Sequence, residues 1–254
     1  MKNLLQSKII TPLSFLALLI AGTSHAGAQE ADHFTAGIGA WVAPAIQGSE
    51  DYRVIPLPVI DVKHGPLFVN LRDGVGVTPL DSDHVTIGVS AVFLQGYRRR
   101  DVPAGVDKLS DGVGARAFVN LRSGGFVTTV GVVKGVSDQT KGVVADASLA
   151  YPIHATPRLT LVPAIATTWA DAKYNDGYFG IHASEAAASG LNPFAVGSGF
   201  KDITGAVTAS FRLTDRVTLS ATGGVTRLVG DAQDSPLVDK KTRPTGLFSL
   251  SYRL

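Results

Sequence analysis

The chain has 254 residues, with 23 Lys and Arg against 21 Asp and Glu, and its formal charge of +2 gives no reason to expect a nucleic-acid partner. It contains no Cys, which excludes disulfides, thiolate metal sites, thiol nucleophiles and lipid attachment at a processed cysteine. Glycine is frequent at 28 residues and charged residues reach only 17%, so the Glu/Lys/Leu blocks of a helical domain are missing.

The first element is a leader. Lys2 and Lys8 precede the apolar run IITPLSFLALLIAG, and an A-x-A site follows at Ala26-Gly27-Ala28. That order predicts a cleaved secretory signal peptide over residues 1–28 and a mature chain from Gln29. The run is too short to cross a hydrocarbon core about 30 Å thick, and Pro12 interrupts it. Residues 29–254 are expected to form one β domain.

Downstream, apolar residues recur at every second position, the period of an extended strand with unlike faces. Segments 34–46, 52–63 and 67–78 open the series. Within the second, IPLPVI (55–60) is awkward because proline cannot donate to a ladder, so a barrel rim, a bulged strand and a segment outside the sheet all remain open. In 85–93, Val85, Ile87, Val89, Ala91 and Phe93 alternate with Thr86, Gly88, Ser90 and Val92. A long connection, 98–111, begins with Arg98-Arg99-Arg100-Asp101. Segment 113–122 sets Val113, Ala115, Ala117, Val119 and Leu121 against Gly114, Arg116, Phe118, Asn120 and Arg122. RSGG (122–125) then turns into 126–134. Segments 143–151 and 158–169 flank the turn HATPR. A second long connection, 170–200, carries the only helical stretch, HASEAAAS (182–189). Segments 207–213 and 217–226 flank LTDR, and a third long connection spans 229–244. The chain ends LFSLSYRL, with Phe248, Leu250, Tyr252 and Leu254 on one face and Ser249, Ser251 and Arg253 on the other.

Short turns alternating with long loops predict an up-and-down meander. The polar face is Ser, Thr, Gly, Asn and scattered Arg, whereas a soluble sandwich would be rich in Lys and Glu there. Strands of about 9–11 residues match a tilted bilayer crossing. The expected fold is therefore all-β: a closed antiparallel transmembrane barrel of 10–12 strands, with short periplasmic turns and longer extracellular loops. The terminal strand closes it, because a bare edge cannot sit in hydrocarbon.

Catalysis finds little support. His33, His64, His84, His154 and His182 fall in or beside turns and loops, none shares a face with a neighbouring Ser, and no zincin or nucleophile-elbow motif occurs. The expectation is a protein that is not an enzyme and holds no cofactor or metal. The arginine run at 98–100 offers phosphate-binding forks for lipopolysaccharide, against the simpler reading of a solvated loop. Asp171, Asp176, Asp231, Asp234 and Asp239 fit no EF-hand spacing and read as turn residues.

Three stretches carry a more specific signal. VAPAIQGSEDYRVIPLPVIDV (42–62) resembles the opening of the MipA/OmpV family. TWADAKYNDGYFGIHASEAAASGL (168–191) resembles its central loop, with Trp169, Asp171, Tyr174 and Tyr178 in order. TRLVGDAQDSPLVD (226–239) resembles its late loop, with Arg227, Gly230, Asp231, Asp234, Ser235 and Pro236. Such barrels commonly end in Phe, where this chain has Leu254. The resemblance implies a barrel in the outer membrane of a Gram-negative bacterium, in contact with its lipids, lipopolysaccharide and assembly machinery. It also implies one of two roles. The first is a scaffold linking a lytic transglycosylase to a murein synthase. The second is a small porin or surface adhesin involved in osmotic and antibiotic response.

Overall fold

The computed structural model describes residues 32–137 and 142–254; the leader assigned to 1–28 and its cleavage site lie outside the described residues. Thirteen strand segments follow in order: β1 (His33–Pro44), β2 (Tyr52–His64), β3 (Leu67–Asn70), β4 (Gly74–Asp81), β5 (Val85–Leu94), β6 (Gly112–Ser123), β7 (Phe126–Gly135), β8 (Gly142–Ala150), β9 (Ile153–His154), β10 (Leu159–Ala170), β11 (Gly199–Arg212), β12 (Val217–Leu228) and β13 (Thr242–Arg253). Each pairs antiparallel with its neighbour. β13 returns to β1, with Thr35 opposite Arg253 and Val42 opposite Gly246, and β10–β11 completes the ring. β8 and β9 both lie against β10 and form one stave broken at Tyr151-Pro152. The wall is thus a closed barrel of twelve staves.

Alternation explains why these segments become staves. Ile38, Val54, Val75, Ile165, Phe200 and Phe248 are all exposed on the outer surface, and Ile38 reaches 72%. A belt of this kind in water would oppose folding; in a bilayer it is the solvated face. No helix among the described residues is long and apolar enough to cross a membrane. Phe248, Leu250, Tyr252 and Leu254 lie on this outer face, all exposed. The turns at one end are tight. Gly124 and Gly125 both take positive φ (59° and 84°) between Ser123 and Phe126, the two-residue hairpin geometry whose twist matches the flanking strands.

One expectation needs correction, and one open question is resolved. Segment 67–78 is not one strand: it breaks at Leu71-Arg72-Asp73 into β3 and β4, which supplies the stave that the alternation concealed. IPLPVI lies within β2, paired along its length with β1.

The interior is filled from two sides. Trp41, Ala43, Leu57, Ala166, Ala206 and Leu247 form an apolar cluster inside the ring, with Leu71 packed against it. Elsewhere the inner face is polar and paired with itself. Thr204–Thr226, Thr208–Thr222 and Ser210–Ser220 hydroxyls meet across β11 and β12 at 2.8, 2.8 and 3.0 Å. Such cross-strand pairs satisfy hydroxyls that a dry lumen would otherwise strand.

Candidate functional site

Three features could carry function: the folded cap at the loop end, a buried charge cluster in the lumen, and the turn end.

The cap contains the residues of the two loop motifs. Asp171 starts α1 (Ala172–Phe179) because its Oδ1 accepts the Tyr174 N–H at 2.8 Å. One and two turns of chain later, Tyr174 and Tyr178 stack with centroids 4.4 Å apart, and Tyr97 meets Tyr178 edge-on at 6.4 Å. The Tyr178 hydroxyl donates to the Gln95 carbonyl, so α1 is fastened to the loop after β5. Burial pushes the Tyr174 and Tyr178 phenols up, and it raises Tyr97 to about 12, with Glu185 and Asp107 adding to the effect. The second helix, α2 (Ala183–Ser189), begins with a capping box in which Glu185 Oε2 accepts the His182 N–H at 2.9 Å. Glu185 Oε1 accepts the Asp107 N–H at 2.9 Å and ties α2 to the same loop. The helix over 172–179 escaped the sequence reading, since Asn175 and Gly177 weaken it; Asp171 was the signal available.

The late loop closes the cap. Ser235 Oγ donates to the Phe179 carbonyl at 2.6 Å. Asp231 Oδ2 accepts the Gly197 N–H at 3.2 Å, and Asp234 pairs with Lys241 at 2.7 Å. Gly230 takes φ 58°, and Pro236 sits between the buried Ser235 and Leu237. Phe179, Val196, Leu228 and Ala232 form one apolar cluster beneath these contacts, and Val106, Ile181 and Leu237 another. Trp169 stands at a register shift of β10 against β11, and the exposed Arg227 lies opposite Ile203 and Thr242. The arginine run is knotted into this end. Asp101, whose side chain is 1% exposed, pairs with Arg53 of β2 and approaches Arg100 at 3.7 Å, while Arg99 meets Asp107 at 3.3 Å.

The charge cluster lies deeper. Arg116 of β6 and Asp146 of β8 each have side chains 2% exposed. Arg116 donates Nη1 and Nη2 to the two oxygens of Asp146 at 2.5 and 3.2 Å, and Nε to Asp73 at 3.0 Å. Glycines make the room: a Cβ on Gly131 would lie 2.5 Å from Arg116 Nη2, and one on Gly88 2.3 Å from the Phe118 ring. Sequence reasoning placed Arg116 on the polar face but had no means of pairing it with a carboxylate two staves away. At the turn end, Lys63 pairs with Asp81, which also accepts the Thr86 hydroxyl at 2.7 Å.

The histidines do not assemble. His33 Nε2 lies 3.3 Å from Asp61 and His64 Nδ1 3.1 Å from Asp32, both where β1 and β2 meet at the turn end, whereas His182 Nε2 lies 3.8 Å from Asp176 in the cap. Among the described residues no group of three or more His, Asp or Glu could hold a metal ion.

Comparison with known proteins gives a consistent picture. The model of the family described as MltA-interacting protein MipA matches residues 36–254. The MltA-interacting protein of Escherichia coli K12 is 26% identical over 252 residues, covering 94% of this chain and 97% of that protein. The putative outer membrane protein YiaT of the same organism is 29% identical over 118 residues, 46% of this chain and 47% of its own. Among solved structures, an outer membrane channel of Pseudomonas putida F1 aligns with a TM-score of 0.45 at 10% identity, covering 92% of this chain and all of that one.

Proposed function

The chain belongs to the MltA-interacting protein MipA family, and from that premise we propose that it is an outer-membrane interaction protein without catalytic activity of its own. In this reading it binds a lytic transglycosylase of the MltA kind from the periplasmic side and holds it near a murein synthase. The name of the full-length E. coli relative supports the first partner.

The observation that carries the reading is the use of the motif residues. Asp171, Tyr174, Tyr178, Asp231 and Ser235 direct their polar groups or rings into the cap itself. These motif residues are then engaged within the cap, and the turn end is the surface we assign to a partner. Arg158, Arg212, Arg216 and Arg253 are exposed at that end, as are Asp215 and, farther round the ring, Asp83. The folded cap and the apolar cluster inside the ring also weigh against the small-porin alternative. Export through the 1–28 leader and insertion by the outer-membrane assembly machinery belong to the same proposal.

The test is direct binding. The purified barrel in lipid nanodiscs is immobilised and exposed to purified lytic transglycosylase from the same organism. Saturable binding that falls at least tenfold when Arg158, Arg212 and Arg216 are changed together to Ser supports the reading. No binding, or binding unchanged by that triple substitution, overturns it.

A further inference from the structure

The wall has a slot. β3 and β4 stop at Asn70 and Gly74, level with Asp61 on β2 and Val92 on β5. Beyond that level, β2 continues through Ile60 to Tyr52 with β1 on one side and, among the described residues, no strand on the other. The backbone directions identify which groups face the gap. The Ala45 N–H donates to the Asp51 carbonyl at 2.7 Å. Odd-numbered residues of β2 therefore turn their backbone toward β1, and Tyr52, Val54, Pro56, Pro58 and Ile60 turn theirs to the open edge. The two prolines occupy positions where an N–H would have no partner, which is why they are tolerated inside a membrane strand.

A cavity of about 290 Å³ adjoins this slot on its β4–β5 side, with no residue of β2 among those that line it. Arg116 and Asp146 line it from the lumen, while Val75 and Ala91, exposed on the outer apolar face, line it from outside. Val75 and Ala91 pair with each other at the end of the β4–β5 ladder, so the cavity reaches the outer face where that pairing stops. The loop after β5 covers it from above, held by the Arg53–Asp101 ion pair.

The polar end of the cavity holds two guanidiniums, Arg72 and Arg116, beside the carboxylates of Asp73 and Asp146. Arg116 gives three bonds to Asp73 and Asp146 and engages both carboxylates. Arg72, which also lines the cavity, has less: Nη2 donates to Ser148 Oγ at 3.0 Å, and Nε stands 3.9 Å from Asp73 with no hydrogen-bond partner. A guanidinium with unused donors and little water nearby favours a carboxylate or phosphate oxygen. The volume is at the lower end of the roughly 300–1,000 Å³ of small-molecule sites, enough for one chain and too little for a diacyl lipid.

We infer that the slot is a binding site for a carboxylate-headed, single-chain amphiphile that enters from the bilayer, its head on Arg72 and its chain lying across Val75, Ala91 and Phe93. This site is independent of the partner at the turn end.

The test uses tryptophan quenching. The chain has two Trp residues, and Trp169→Phe leaves Trp41, which packs in one cluster with the cavity-lining Leu71. The barrel in nanodiscs is titrated with 11-bromoundecanoate, whose bromine quenches indoles on contact. The expected result is saturable quenching that weakens at least tenfold in Arg72→Gln, and as much when the corresponding bromo-alcohol replaces the acid. Ala91→Phe, which fills the mouth from the outer face, is expected to abolish saturation. Quenching that rises linearly with probe, or saturates equally for acid and alcohol, overturns the inference, as does indifference to Ala91→Phe. Should Arg72→Gln fail to fold, the alcohol and Ala91→Phe comparisons decide it alone.

Discussion

Removing the Asp146 carboxylate tests whether the Arg116 cluster is shielded from water. Arg116 makes three hydrogen bonds, two of them to Asp146, with both side chains 2% exposed. Breaking a buried pair from one side leaves an uncompensated charge and destabilises by about 3–5 kcal/mol. Here Asp73 keeps one bond and half of the counter-charge, so Asp146→Ala is expected at the lower end, about 3 kcal/mol. Asp146→Asn retains an acceptor and loses the charge, and about half that loss is expected, in line with the ~1.5–3 kcal/mol of a hydrogen bond to a charged group. The assay is equilibrium urea unfolding of the barrel in lipid vesicles, followed by tryptophan emission. A loss below ~0.5 kcal/mol in Asp146→Ala would mean that water takes over the guanidinium, and the account of a shielded charge cluster would fail.

Gly131→Ala drives a methyl to within 2.5 Å of Arg116 Nη2, a group that its two carboxylates hold in place. Overpacking of this kind is expected to destabilise by about 1–3 kcal/mol in the same urea assay. Asp171→Ala removes the N-cap of α1, and about 1 kcal/mol of local stability should go with it, seen as faster amide exchange across 172–179. The Tyr97 phenol is raised to about 12 in the folded cap. A raised folded value means that the neutral form is favoured by folding, so this stabilisation is complete below the unfolded value near 10 and disappears as pH rises to 12. Absorbance titration at 295 nm should show Tyr97 ionising late in the wild type and the cap becoming protease-sensitive within that window; early ionisation of all tyrosines would refute it.

Much of the wall was legible because a two-residue period survives any tertiary context: Val207, Phe211 and Leu219 face lipid simply because they alternate with inward Thr208, Ser210 and Ser220. The short staves were not legible. Leu67 to Thr78 reads as continuous alternation, which hides the one local sign of the break, the Asp73-Gly74 step with Gly74 at φ 79°. The prolines of β2 carried that information in an unreadable form, since their tolerance depends on the absence of a neighbouring strand. The cap was half legible. HASEAAAS forms a helix where its Ala-rich composition says it should, whereas the ring stack of Tyr174 and Tyr178 depends on the loop from β5 arriving above it. Arg116 shows the same limit, because a buried charge is decided by partners that the register brings, and register is a long-range property.

The central claim is that the turn end, and not the cap, meets the partner. Its most direct measurement is site-specific photo-cross-linking in intact cells, with a photoreactive phenylalanine placed singly at Asp83, Arg158 and Asp215 on the turn end and at Lys173 and Ala187 on the cap. The account predicts adducts with a lytic transglycosylase from the turn positions and none from the cap. Adducts confined to the cap positions, or turn positions that capture only lipid and other barrels, would contradict it.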